Sequence, residues 1–234
     1  MSYPQTKQNS IRVYKKRARY DYETVHGIFE DSYVVHVAFQ RPGDGQLENQ
    51  PMVSAMGYYL EEPCLYIHGN AASMLAKGTK EEAALPVCVT ASHVDGIIFT
   101  YTPNGHALNY RSAVIHGNAQ LVKDADEKDY ALKQMFDQML PGRWDNSAPV
   151  DPNAVKHVHV FRVTIESASA KVRTGMGDLG TPVPGVFAGS IPYFGSLGEP
   201  VAATPDMEIP SHISDLVETR SRKWKEYAEK VSHD

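Results

Sequence analysis

Cysteine, net positive charge and long apolar runs are all scarce in this sequence, and each shortage removes a class of protein. Only Cys64 and Cys88 occur in 234 residues, both in apolar, strand-like runs. A disulfide framework is therefore not expected, and a reducing, cytoplasmic compartment is. The formal charge of −5 gives no electrostatic reason to expect nucleic acid or an anionic membrane surface. No apolar run approaches the roughly 20 residues that span a bilayer. The opening stretch MSYPQTKQNSIRVYKKRARY has basic residues but no apolar h-region, so it does not read as a secretory signal. What remains is an ordinary globular composition, 42% hydrophobic and 22% charged, long enough for one core plus an extension.

Seven runs rich in Val, Ile, Tyr, Phe and Thr read as strands: 33–40, 52–60, 64–68, 86–92, 96–102, 109–122 and 155–169. Residues 1–19 read as a polar arm. YDYETVHGIFEDSY follows as a short helix with Asp21 at its N-cap. NAASMLAKG (70–78) reads as a second short helix. A stronger one follows Asp124, where Leu132, Met135, Phe136, Met139 and Leu140 share a face and Pro141-Gly142 stops it. Asp124 and Glu127 have the spacing of a capping box. Many short strands with few helices indicate a mainly β fold, an antiparallel barrel of about six to seven strands with flanking helices. From Thr174 to Pro210 the chain turns Gly- and Pro-rich, and FAGSIPYF within it has too many aromatics for a disordered linker. The remainder reads as a helix with a solvated, charged face. The expected organisation is an arm (1–19), a barrel domain (20–173) and an extension (174–234) that wraps the barrel or a partner.

The tetrapeptide HGNA occurs twice, at 68–71 and 116–119. The flanks differ, so a structural repeat is not supported. Two histidines are too few for a structural zinc site, and adding His157 and His159 gives only a set that chance supplies among ten histidines. No metal is expected. After His116 the chain stays extended. After His68 it is read as turning directly into a helix. Gly69, Asn70, Ser73 and Lys77 would then place free helix N–H groups, a hydroxyl and an ammonium together, the equipment that binds a phosphate. Tyr110, Arg111 and Ser112 open the longest strand. Arg111 has the fork to hold a phosphate or carboxylate, with a cross-strand ion pair as its ordinary alternative. Lys171 and Arg173 form a third basic cluster at a strand end.

Taken together, RARYDYETVHGIFEDSYVVHVAF, LYIHGNAASMLAKG, PVCVTASHVDGIIFTY, the long NYRSAV segment and SASAKVRTG resemble the FMN-binding split-barrel family related to pyridoxamine 5′-phosphate oxidase. Within it they are most similar to the nitroimidazole-resistance branch. The resemblance implies a homodimer with FMN at the subunit interface. It places Val53, Ser54, Ala55 and Met56 along the flavin ring through their backbone. It places His68 and Gly69 where the strand meets the ring, and Asn70, Ser73 and Lys77 near the ribityl chain and phosphate. Tyr110, Arg111 and Ser112, with Lys171 and Arg173, complete the set. His68 is the candidate tuning or proton-donating residue, and the activity implied is a flavin-dependent oxidation or reduction of a small molecule. Ala107 and Phe187 depart from that branch, which usually has Ser and often has Trp there. The uncharged PMVSAM argues against pyridoxal phosphate synthesis. A non-enzymatic barrel holding haem or another ligand is the rival reading, and Lys77 discriminates, since haem has no phosphate to place there.

Overall fold

The computed structural model describes residues 1–81, 84–204 and 206–233. In chain order the strands are β1 (Ala18–Arg19), β2 (Val34–Gln40), β3 (Leu47–Tyr59), β4 (Glu62–Asn70), β5 (Leu85–Phe99), β6 (Ala107–Leu121), β7 (Val158–Arg173) and β8 (Gly189–Pro192). The helices are α1 (Tyr22–Glu30), α2 (Met74–Glu81), α3 (Ala125–Met139), α4 (Pro152–Lys156) and α5 (Ser211–His233). Strands run in the order β7-β4-β3-β2-β5-β6, and β6 pairs back to β7. Six strands therefore close a ring, with β1 attached to β7 and β8 to β5. This is the antiparallel barrel with flanking helices that the strand pattern indicated, and the split barrel that the resemblance implied. Closure leaves fewer exposed edges than a long open sheet would carry.

The chain forms two compact units. The first comprises Met1–Ser92 with Ser112–Ala170, and the second His93–Arg111 with Lys171–Asp234. The second unit thus joins the 93–111 segment to the chain from Lys171 onward.

In the first unit the side chains of β2 alternate exposed and buried, with Val35, Val37 and Phe39 turned inward. A second layer lies outside the sheet. Ala55, Tyr66 and Val160 from β3, β4 and β7 pack against Ala131, Leu132 and Met135 of α3. The cap of α3 is half a capping box: Asp124 Oδ1 accepts from Glu127 N at 2.8 Å. The Glu127 carboxylate does not return to the cap. It takes the Arg162 guanidinium at 2.5 Å and the Tyr66 hydroxyl at 3.1 Å. A guanidinium this sheltered from water demands a partner, and that demand outweighs the cap.

Three further expectations are corrected and one is extended. The strands expected at 86–92 and 96–102 are one strand, β5. Its two halves have different partners: Val87–Thr90 pairs with β2 and Gly96–Phe99 with β8. The short polar stretch His93–Asp95 between them marks that change of partner. The chain does not turn directly after His68. Pairing of Gly69 and Asn70 with His159 and Val158 carries β4 two residues further, so the helix expected at 70–78 starts at Met74. The arm is docked: Tyr3 is 6% exposed, and its hydroxyl lies 2.7 Å from Nε2 of His26 on α1. Asn9 donates to the Ala168 carbonyl at 2.9 Å. On α3 the expected stripe is shifted, for Ala131 is buried while Phe136 is 43% exposed.

In the second unit, β8 ties FAGSIPYF to β5, and the last two turns of α5 bury Ala228 and Val231. Most of α5 is a charged, exposed face, as expected. Asp234, the end of the expected helix, lies outside the described residues. Among the described residues no helix is long and apolar enough to cross a membrane.

Candidate functional site

Register places the first HGNA copy against β3. Val53 faces His68, Ser54 faces Ile67, Ala55 faces Tyr66 and Met56 faces Leu65. Val160 flanks His68 on the other side. Because neighbouring residues alternate faces, Val53, Ala55, Tyr66 and His68 share the face covered by α3, while Ser54 and Met56 point into the barrel. Ser54 is 1% exposed and its Oγ has no partner; the structure offers no reason for a hydroxyl there. The expected backbone role of this segment has a geometric basis. β2 pairs only with Leu47–Val53 of β3. Among the described residues, Ser54–Tyr59 have no strand on the side away from β4, so alternate N–H and C=O groups there point away from any strand partner.

His68 lines a cavity of about 420 Å³ together with Met135, Phe136, Arg143, Trp144 and Val158. Burial in this apolar setting pushes the His68 pKa below its usual value. The imidazole is therefore held neutral, with a ring nitrogen able to accept a proton or bind a metal.

The turn after β4 is built by the sequence itself. Asn70 Oδ1 accepts from Ala72 N at 2.8 Å, an Asx turn. Ser73 then caps α2, its Oγ accepting from Ala76 N at 3.1 Å. Lys77, exposed one turn on, borders a cavity of about 410 Å³ that Arg41 and Asp44 close from the β2–β3 turn. Arg41 is committed there to Asp44 at 2.6 Å and 3.0 Å; among the described residues no carboxylate pairs with Lys77.

The remaining expected residues divide between the units. Ser112 belongs to the first unit; Tyr110, Arg111, Lys171 and Arg173 belong to the second. Arg111 makes a bidentate pair with Asp95 at 3.0 and 3.1 Å, both side chains largely shielded, and its guanidinium lies 4.2 Å from the centre of the Tyr227 ring. The ordinary alternative weighed for Arg111, a cross-strand ion pair, is what is present. Arg173 donates to Asn109 Oδ1 at 3.0 Å and to the Leu108 carbonyl at 3.2 Å. Among the described residues no group of three or more His, Cys, Asp or Glu is placed to hold a metal ion. Sequence reasoning missed the cavity over His68 and its Arg143 and Trp144. The one available signal was GRW directly behind a helix stop.

Comparison with known proteins follows the same lines. The family model described as pyridoxamine 5′-phosphate oxidase matches residues 21–172. No curated protein matches. Among solved structures, flavocytochrome Anf3 from Azotobacter vinelandii aligns over 90% of this chain and 96% of its own, with 26% identity and a TM-score of 0.72. The FAD and heme binding protein from Mycobacterium smegmatis aligns over 86% and 97%, with 19% identity and a TM-score of 0.72. A candidate 5-nitroimidazole antibiotic resistance protein from Bacteroides thetaiotaomicron aligns over 66% and 86%, with 20% identity and a TM-score of 0.53.

Proposed function

The chain belongs to the pyridoxamine 5′-phosphate oxidase family, and from that premise we propose that it is a flavoprotein that holds FMN and oxidises or reduces a small molecule. The observation that carries this reading is the pair of features flanking His68. The strand edge at Ser54–Tyr59 has backbone groups without a strand partner, and the Ser73-capped start of α2 carries Lys77 one turn in. The first suits the donor and acceptor rim of a flavin ring. The second suits a phosphate, through the helix amides and one ammonium. These residues fit the group chemically. Bound flavin would supply the electron or hydride transfer. The protein's part is to hold the ring by backbone groups, the phosphate by α2, and a neutral imidazole at His68 that can take or return a proton.

A homodimer with the site at the subunit interface belongs to the same proposal. Val34 is 51%, Tyr58 59% and Leu60 79% exposed beside the β3 edge that lacks a strand partner and where Tyr58 N donates to Tyr130 Oη at 3.3 Å, an apolar rim that a second subunit would cover.

One observation favours a second reading, haem in addition to flavin: the likeness to flavocytochrome Anf3 extends over 90% of the chain. The visible spectrum of freshly purified protein, with the released ligand weighed, separates the readings. Bands near about 370 and 450 nm with the mass of FMN support the first. The mass of FAD keeps the flavin and changes its length. A sharp band near about 400 nm establishes haem. A colourless protein that takes up no added flavin removes the proposal.

A further inference from the structure

The cavity over His68 is not needed to explain flavin retention, yet it is built as a ligand chamber. It measures about 420 Å³, within the roughly 300–1,000 Å³ of small-molecule sites. One wall is α3, through Met135 and Phe136; the other includes Val158 at the start of β7. Trp144, 5.5 Å from the Phe136 ring centre, closes the end. Methionine and aromatic side chains adapt to a flat apolar body and stack on it.

Two polar groups sit in this apolar lining and set the chemistry. His68 is neutral, so it repels no apolar ring and offers a nitrogen lone pair. Arg143 carries a permanent charge. Among the described residues its hydrogen bond is one long contact, 3.4 Å to the Asn146 carbonyl, and no carboxylate pairs with it. The neighbouring cation, Lys133, is by contrast held by Asp137 at 3.1 Å and Asp145 at 2.7 Å. Lys133 of α3 is therefore neutralised, while Arg143 of the following loop is left at the cavity. The turn that delivers Arg143 is also specified: Gly142 has φ of 76°, a left-handed conformation that favours glycine.

We propose that this cavity binds a flat, apolar ring system bearing a carboxylate, with the ring against His68 and Trp144 and the carboxylate on Arg143. Two sources share that chemistry, an aromatic acid and a haem with its propionates. The proposal shares only His68 with the flavin reading and survives its failure, because the rest of the lining lies outside the β3 edge and α2.

The test uses the full-length protein as purified. Its visible spectrum is recorded, and 2-naphthoate and the uncharged 2-naphthamide are titrated by calorimetry. Two variants accompany it. Arg143→Gln removes the charge. Ala154→Phe, at an exposed lining position, fills the chamber without touching the core; circular dichroism checks that both fold.

If the source is an aromatic acid, there is no haem band and naphthoate binds about tenfold or more tightly than naphthamide, the usual worth of a charge-assisted bond. Arg143→Gln abolishes that preference and Ala154→Phe weakens both ligands. If the source is haem, a band near about 400 nm shifts in His68→Ala and is lost in Ala154→Phe. Equal binding of acid and amide, acid preference surviving Arg143→Gln, or binding and haem both unaffected by Ala154→Phe would each overturn the proposal. Flavin content, read separately at about 450 nm, reports on the other reading.

Discussion

The two copies of HGNA are the same four residues put to different ends. In the first, Gly69 is the penultimate residue of β4, and Asn70 folds its own carboxamide onto Ala72 N to end the strand. In the second, all four residues lie inside β6; Asn118 reaches across to Glu166 on β7, and Ala119 is fully buried. The glycines differ most. A Cβ on Gly69 would meet the mobile Met52 Cε at 2.8 Å; a Cβ on Gly117 would lie 2.1 Å from the Thr164 backbone oxygen. The first copy is a strand end with room to act. The second is a seam where two strands press together.

The strongest way to break this comparison is to add a methyl group to each glycine. Gly117→Ala should cost about 3 kcal/mol in urea denaturation, the upper end of overpacking, because a carbonyl in a strand cannot swing aside. Gly69→Ala should cost about 1 kcal/mol, since a methionine end re-orients. Equal losses would mean the two glycines do one job.

Next in size is ligand retention. Lys77→Ala should lower flavin content of the purified protein about tenfold, the worth of one charge-assisted contact. Lys123→Ala, seven residues after His116 where Lys77 is nine after His68, should leave it unchanged. Flavin retained by the first variant would remove Lys77 from the site.

The asparagines should separate by less. Asn70→Ala gives up the turn bond and should lose about 1 kcal/mol. Asn118→Ala gives up an exposed contact and should lose a few tenths, roughly the worth of a surface pair.

The smallest effect is in pH. Burial holds both His68 and His116 below their usual value of 6.5. The unfolded chain therefore binds more protons at these positions as pH falls from 6.5 towards the folded values. Stability is full above that window, declines within it and levels off beneath. His68→Gln and His116→Gln should each flatten the fall in thermal midpoint between pH 7 and pH 5, taken as a span of about two units around the imidazole range. An unchanged slope would mean the imidazole is as hydrated in the fold as out of it.

Local chemistry was legible wherever it is complete within a few residues. The N-caps Asp21 and Asp124 bond Thr24 N and Glu127 N as their spacing indicates. The strand runs gave a barrel. Lost from view were outcomes set by distant partners. Glu127 looked like a cap and serves Arg162, 35 positions away. The runs 86–92 and 96–102 looked like two strands and are one, because β2 and β8 each claim one end. Arg111 looked available to an anion until Asp95, 16 positions back, was found against it. Arg143 drew no notice, because its worth lies in lacking the carboxylate that Lys133 has.

The sequence alone determined a mainly β barrel, its helices and their caps, and the segment around His68 as the place to look, because these follow from periodicity and from bonds closing over three or four residues. Which HGNA copy ends a strand, which cations are spent on carboxylates and where a chamber opens were decided only by tertiary structure. Each depends on what a distant strand brings within about 3 Å, the reach of a hydrogen bond, and no local pattern encodes that.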